Sequence, residues 1–334
     1  MTNPFEKGIP SLFIVGSPFQ ALCAIEAIHS FEINEYKFLL SLINDPRNKQ
    51  LFKLLKDQNI KYEIVGFDKK IHWNFLYKLS LLRPRWNKYK RAFIGDYRFR
   101  SMFCPAFERL SNNSCIIFLD DGNCNVPLLK GLSQPLYDNA SGHFMKALNI
   151  TRHISCGKYI FTHYADINNC NFHIYSNDFS NLSKSIRDKN KEGVCIIGTN
   201  PERFAWGYGM TIDEFWIEME NILCLIKKEN PNKDIYYVPH GRDASSNTYD
   251  LCNKHGIRFV RADISVELLL IKMDVIPEII YGMNSSALYS IRKMMPNIQI
   301  KNILFTWPCK FLNNHLAIAE YYKAHGIELI EIKK

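Results

Sequence analysis

Four short polar groupings carry the residue types that chemistry needs: Asp120-Asp121-Gly122, His240-Gly241-Arg242, Glu267, and Asn284-Ser285-Ser286. Paired carboxylates can take a proton or hold a cation, and a histidine beside an arginine can meet an anion. Serines at a helix start offer hydroxyls and free backbone amides to a phosphate. Each grouping also has a plainer reading. Asp-Asp-Gly is a common turn with glycine in the left-handed region, and a histidine at a strand end is often structural. Asn284 or Ser285 suits an ordinary helix cap, and Glu267 near a helix start compensates the helix dipole. A metal at Asp120 and Asp121 is not expected, because adjacent acids alternate sides along an extended chain and no third ligand is evident.

These groupings stand out by their position. Asp120 follows Cys115-Ile116-Ile117-Phe118-Leu119, an apolar run of buried-strand type. His240 follows Ile235-Tyr236-Tyr237-Val238-Pro239, and Asn284 follows Ile279-Ile280-Tyr281-Gly282-Met283. All three emerge at the carboxyl ends of strands, the edge at which open parallel sheets bind ligands. Gly198-Thr199 closes another short apolar run and reads either as a donor contact or as a plain turn from strand to helix. The interval from His240 to Ser285 leaves room for a strand-helix unit that seats both at one sheet edge.

The elements that would position them alternate. Strands are expected over 11–16, 36–42, 60–67, 92–96 and 115–119, with helices over 17–30, 49–57 and 98–111 between them. A stretch over 165–191, rich in Asn, Ser, Asp and Lys, reads as a linker. Alternation resumes with strands over 194–197, 235–238, 257–260, 279–281 and 300–305 and helices over 211–228, 246–255, 265–273 and 285–295. The fold class is therefore α/β with parallel, doubly wound sheets. The expected domains are 1–185, carrying Asp121, and 186–310, carrying His240, followed by a helix and extended tail over 311–334.

Composition sets outer bounds. A chain of 334 residues with 47% hydrophobic content exceeds the size of a usual single core and is not disordered. Ten cysteines without a Cys-x-x-Cys pair point to reduced thiols and a cytoplasmic setting rather than zinc or a disulfide framework. No signal peptide is evident at the N-terminus, and no run approaches the ~18 apolar residues of a membrane span. The formal charge of +9 suggests anionic company. Its densest basic stretch, 73–91, interleaves Trp73, Tyr77, Trp86 and Tyr89 with Arg83, Arg85, Lys88, Lys90 and Arg91. That pattern suits a membrane interface, a polymer, or simply a solvated helix face. Nucleic acid is not expected, since no binding module accompanies the basic residues, and Gly16-Ser17-Pro18 is not a dinucleotide fingerprint.

Taken in order, Asp120-Asp121-Gly122, Tyr237-Val238-Pro239-His240-Gly241-Arg242-Asp243, Ser265-Val266-Glu267-Leu268-Leu269 and Ser285-Ser286-Ala287-Leu288-Tyr289 resemble the bacterial sialyltransferases with an acidic-acidic-Gly motif and a His-Pro motif. Within them the chain looks closest to the lipooligosaccharide sialyltransferases and capsular polysialyltransferases. Phe13-Ile14-Val15-Gly16-Ser17-Pro18-Phe19-Gln20 and Phe93-Ile94-Gly95-Asp96-Tyr97-Arg98 are similar to segments of the same group, so the resemblance spans most of the chain. One departure is Gly241, where the family usually has proline.

The resemblance implies two Rossmann-like domains facing a central cleft, the GT-B type. It also implies transfer of sialic acid from CMP-sialic acid to a glycan hydroxyl with inversion. By residue match Asp121 is the base, supported by Asp120 and Gly122, and Asp120 would orient Asp121 or raise its pKa. His240, with Arg242, meets the phosphate leaving group. Gly198, Thr199, Pro239, Gly241, Glu267, Asn284, Ser285 and Ser286 contact the donor, with Glu267 on the ribose hydroxyls. No cofactor or metal is expected, and the CMP-sugar and a glycan acceptor are the partners. A place on the cytoplasmic face of the inner membrane and a homodimer are further expectations. The alternatives are transfer of another CMP-activated nonulosonic acid or Kdo, and a non-catalytic capsule or lipopolysaccharide assembly protein.

Overall fold

The computed structural model describes residues 3–66, 89–135, 154–167, 171–186 and 189–333. The chain resolves into two compact units, Met1–Asn181 and Leu182–Lys334. The break falls inside the polar stretch read as a linker, just ahead of the expected boundary.

The first unit holds a seven-stranded sheet of β1 (Ser11–Val15), β2 (Tyr36–Ser41), β3 (Tyr62–Gly66), β4 (Tyr89–Ile94), β5 (Leu110–Phe118), β6 (Ser155–Thr162) and β7 (His173–Ser176). Its order is β3-β2-β1-β4-β5-β6-β7, and every pairing is parallel. All five residues of β1 are buried, as expected of a strand covered on both faces. The chain order reverses between β1 and β4, so the switch point lies where Gly16 leaves β1 and Gly95 leaves β4. Ser17 caps the helix Pro18–Ser30 by accepting from the Gln20 amide, and Pro18 occupies the first turn, where no donor is lost.

The second unit contains β8 (Asn190–Lys191), β9 (Val194–Ile197), β10 (Ile235–Val238), β11 (Arg258–Phe259), β12 (Val275–Ile276), β13 (Ile279–Gly282), β14 (Gln299–Phe305) and β15 (Glu328–Ile332). Six of these form a parallel sheet in the order β11-β10-β9-β13-β14-β15, and β8 pairs with β12 in a separate parallel ribbon. In its own strand count this is the Rossmann order, with the switch between β9 and β13. The helix Ile212–Glu229 packs Phe215, Met219, Ile222, Leu223 and Ile226 into the core beside Val194, Ile196 and Tyr281. Thr211 and Glu214 close its start as a reciprocal capping box.

The structure departs from the sequence reading in several places. The tail over 311–334 joins the second unit, where β15 pairs with β14 and completes the sheet edge. β5 begins at Leu110, directly after the helix Arg100–Arg109, because Leu110 is fully buried and pairs with Tyr89. The polar stretch contains β7, an edge strand whose half-exposed His173-Ile174-Tyr175-Ser176 carries little apolar signal. Arg91 does not belong to a solvated face. It is fully buried, with Nε donating to Ser11 Oγ at 2.9 Å and Nη1 to the Pro4 and Glu6 carbonyls at 2.8 and 2.9 Å. It thereby ties the N-terminal segment to the sheet. Lys90 is exposed on β4, whereas residues 73–88 of the basic stretch lie outside the described residues. No helix among the described residues is long and apolar enough to cross a membrane.

Candidate active site

In the first unit, polar side chains gather at the carboxyl ends of β1, β4, β5 and β6. Asp120 and Asp121 leave β5 together and then part company. Asp120 is fully buried, and its Oδ1 accepts from Asn125 Nδ2 at 2.7 Å and Thr162 Oγ1 at 2.5 Å. Its Oδ2 accepts from the His163 backbone amide at 2.9 Å and lies 2.6 Å from His163 Nδ1. Four partners on one carboxylate make Asp120 the tie between the ends of β5 and β6. Gly122 follows at φ 62°, the left-handed conformation that turns the chain into a 3-10 turn over Gly122–Cys124.

Asp121 points elsewhere, with a fifth of its side chain still open to solvent. Gln20 Nε2 donates to its Oδ1 at 2.7 Å, while Gln20 Oε1 accepts from the Gly16 amide at 2.7 Å, which fixes the orientation of the glutamine. Arg98 Nη2 donates to Asp121 Oδ2 and also to Asp96 Oδ2 at 2.8 Å, and Arg98 Nε donates to Asp96 Oδ1 at 2.9 Å. Burial pushes the Asp121 carboxyl up to about 7, Asp96 adds to the shift by like-charge repulsion, and Arg98 and Gln20 oppose it. The like-charge neighbour that matters is therefore Asp96, not Asp120 as the sequence suggested. Burial works against the charge on Arg98, but its bonds to Asp96, with Cys124 and Asp121 beside it, more than offset this and raise its pKa.

Gln20, Asp96, Arg98, Thr162 and His163 were not picked out as site residues. Gln20 and Arg98 stand 101 and 23 positions from Asp121. The only local signal was the Asp-Tyr-Arg turn, in which the Arg98 amide also donates to Asp96 Oδ1 at 2.9 Å. Asp45-Pro46-Arg47 after β2 builds the same bidentate turn, with Arg47 Nη2 donating to Asp45 Oδ2 at 2.8 Å.

In the second unit, register does the gathering. Ile197 pairs with Val238 on one side and Gly282 on the other. The following residues, Gly198-Thr199, Pro239-His240 and Met283-Asn284-Ser285, therefore share one carboxyl edge. A Cβ at Gly198 would fall 2.7 Å from Tyr237 Cζ, so glycine lets the β9 turn pass over the buried tyrosine. His240 Nδ1 accepts from the Arg242 amide at 3.1 Å, which leaves Nε2 as the protonated nitrogen of the neutral ring. Asp243, also not anticipated, holds this turn. Its amide donates to the His240 carbonyl at 2.7 Å, and its buried carboxylate accepts from Thr248 Oγ1 at 2.8 Å and the Ser245 amide at 3.0 Å.

Asn284 adopts φ 47° and is locked to buried Asn302, donating from its amide at 2.7 Å and accepting at Oδ1 at 2.7 Å. These two bonds fix the turn that follows β13. Ser285 caps the helix Ser286–Met294, accepting from the Ala287 amide at 3.4 Å. Ser286 opens that helix half-exposed, and its hydroxyl makes no hydrogen bond among the described residues. Glu267 is only 5% exposed and accepts from Ser290 Oγ at 3.2 Å, which joins its helix, Val266–Lys272, to the one that Ser286 begins. No cluster of three or more His, Cys, Asp or Glu suited to a metal occurs among the described residues.

No protein-family model matches the chain, and no curated protein does. Among solved structures it is similar to a glycosyltransferase from Rickettsia africae ESF-5, at 13% identity over 95% of this chain and 88% of that one, with a TM-score of 0.47. It is also similar to a glycosyl transferase family 9 structure from Veillonella parvula DSM 2008, at 7% identity over 98% and 86% of the two chains, with a TM-score of 0.41.

Proposed function

We propose that the protein is a GT-B type glycosyltransferase that moves sialic acid from CMP-sialic acid to a hydroxyl of a bacterial surface glycan, with inversion. The observation that carries this reading is Asp121: a carboxyl held at the ligand edge of a Rossmann-like sheet and pushed up to about 7. A sugar hydroxyl is a poor nucleophile near neutral pH, and a base of matched pKa in partial contact with solvent suits its activation. In the proposed step the hydroxyl proton passes to Asp121 as the oxygen bonds to the anomeric carbon. The bond from that carbon to the phosphate oxygen breaks, and CMP departs with the electron pair.

The second unit supplies what the leaving group needs. His240 carries a donor at Nε2 when its Nδ1 accepts from the Arg242 amide, and the Ser286 hydroxyl lies in the first turn of a helix at the same sheet edge. The resemblance of the Asp-Asp-Gly, His-Gly-Arg and Ser-Ser segments to the sialyltransferases selects CMP-sialic acid among donors. The charge of +9 and the basic aromatic stretch support an anionic glycan or membrane surface as company, and the ten cysteines without a Cys-x-x-Cys pair support a cytoplasmic place.

The test is a donor panel on purified protein, reading released nucleotide with and without glycan acceptors. Release of CMP from CMP-sialic acid that rises with acceptor is expected. Nucleoside diphosphate release from another sugar donor, or no CMP release from any CMP-sugar, would overturn the reading. His240→Ala and Ser286→Ala are each expected to slow donor cleavage or weaken CMP binding by about tenfold or more, since each removes a donor aimed at developing negative charge. Turnover is expected to persist in EDTA; loss restored by magnesium would overturn the metal-free step.

A further inference from the structure

We infer that Arg98 and Asp96 are positioning residues that tune Asp121, with the Arg98 fork acting as a bridge between two carboxylates that aims the base and sets its charge balance. This inference rests on the proposed role of Asp121 as the base and adds how that base is set. Arg98 reaches Asp96 with both Nε and Nη2, at 2.9 and 2.8 Å, and the same Nη2 reaches Asp121 Oδ2. Asp96 is buried, so its charge acts on its neighbour with little screening. Its amide contact with Arg98 anchors the arginine to the backbone turn after β4, which makes the fork a fixed feature and not a passing surface pair.

Among the described residues, Asp96 and Arg98 are the charged groups that act on Asp121. Gln20, from the helix after β1, is neutral and occupies Oδ1. Asp120 is turned into its bonds with Asn125, Thr162 and His163. Cys124 accepts from Arg98 Nη1 at 2.9 Å, and Asp45 and Arg47 after β2 pair with each other. The two opposing charges on Asp121 are thus Asp96, which favours the neutral acid, and Arg98, which favours the carboxylate. Gln20 holds Oδ1 and Arg98 holds Oδ2, so both oxygens of Asp121 are fixed in direction.

Opposite signs make the inference testable. Asp96→Asn removes the repelling charge and is expected to move the Asp121 titration and the acidic limb of kcat/KM down by about one pH unit. Arg98→Gln removes the attracting charge and is expected to move both up by about one unit or more. Arg98→Lys keeps the charge without the fork, so the titration is expected to stay near that of the unmodified protein while kcat falls. The measurement is the carboxyl 13C shift of Asp121 across pH in the full chain, assigned by its loss in Asp121→Asn, alongside CMP release from CMP-sialic acid. Shifts in the same direction for Asp96→Asn and Arg98→Gln, or no shift in either, would overturn the tuning. A titration that moves as expected in a protein whose turnover is indifferent to Asp121→Asn would leave the tuning standing and sink the role of Asp121 as the base.

Discussion

Asp121→Asn is expected to lower transfer by about 10²-fold or more while CMP-sialic acid binding changes little, because a general base contributes to the step and not to holding the donor. Asparagine keeps the volume and keeps an acceptor for Arg98, so the turn after β5 should survive. Its amide nitrogen cannot take the hydroxyl proton, which leaves bulk water as the proton sink. With the carboxyl pushed up to about 7, kcat/KM of the unmodified protein should climb as pH rises through neutrality and then level off, since only the ionised form accepts a proton. The variant should lose that climb. Single-turnover transfer and donor binding by calorimetry check the two halves separately. A variant with near-normal transfer would remove Asp121 from the chemistry.

How much of this was legible beforehand depends on distance along the chain. Runs such as Ile235–Val238 and Val194–Ile197 read as strands because four successive buried residues in a parallel sheet are all apolar, and their ends then located His240 and Gly198. Helix starts are similarly local: Thr211 and Ser285 are caps that announce themselves one residue ahead of the turn. The partners of the site were not local. Nothing around Gln20 says that its amide will meet Asp121, because that contact exists only once β1 and β5 flank β4 in the sheet. Asn302, a polar residue within the strand over 300–305, is the fully buried lock on Asn284. The resemblance implies a donor contact for Asn284 and a ribose contact for Glu267, whereas residue type alone suggests a cap and a helix-dipole partner. Tertiary hydrogen bonds gave both a job inside the protein.

The two adjacent aspartates show the same limit and lead to the largest effect on stability. They are indistinguishable by type and differ only in what surrounds them. Asp120→Ala is expected to destabilise the first unit by about 3 kcal/mol or more, since each buried donor left without an acceptor costs about 1–3 kcal/mol. The reason lies in what remains: Thr162 Oγ1, Asn125 Nδ2 and the His163 amide, all donating to Asp120, would lose their acceptor inside a sealed site. Alanine also opens a small void between the ends of β5 and β6 that the fully buried His163 cannot leave. Asp120→Asn retains one acceptor oxygen but turns an amide towards His163, so it should destabilise less than alanine and more than any substitution of the partly exposed Asp121. Thermal and denaturant unfolding of the four variants, Asp to Asn and Asp to Ala at each position, gives the comparison. If Asp121→Ala lowers the midpoint as much as Asp120→Ala does, the division between a carboxylate that builds the edge and one that works at it is wrong.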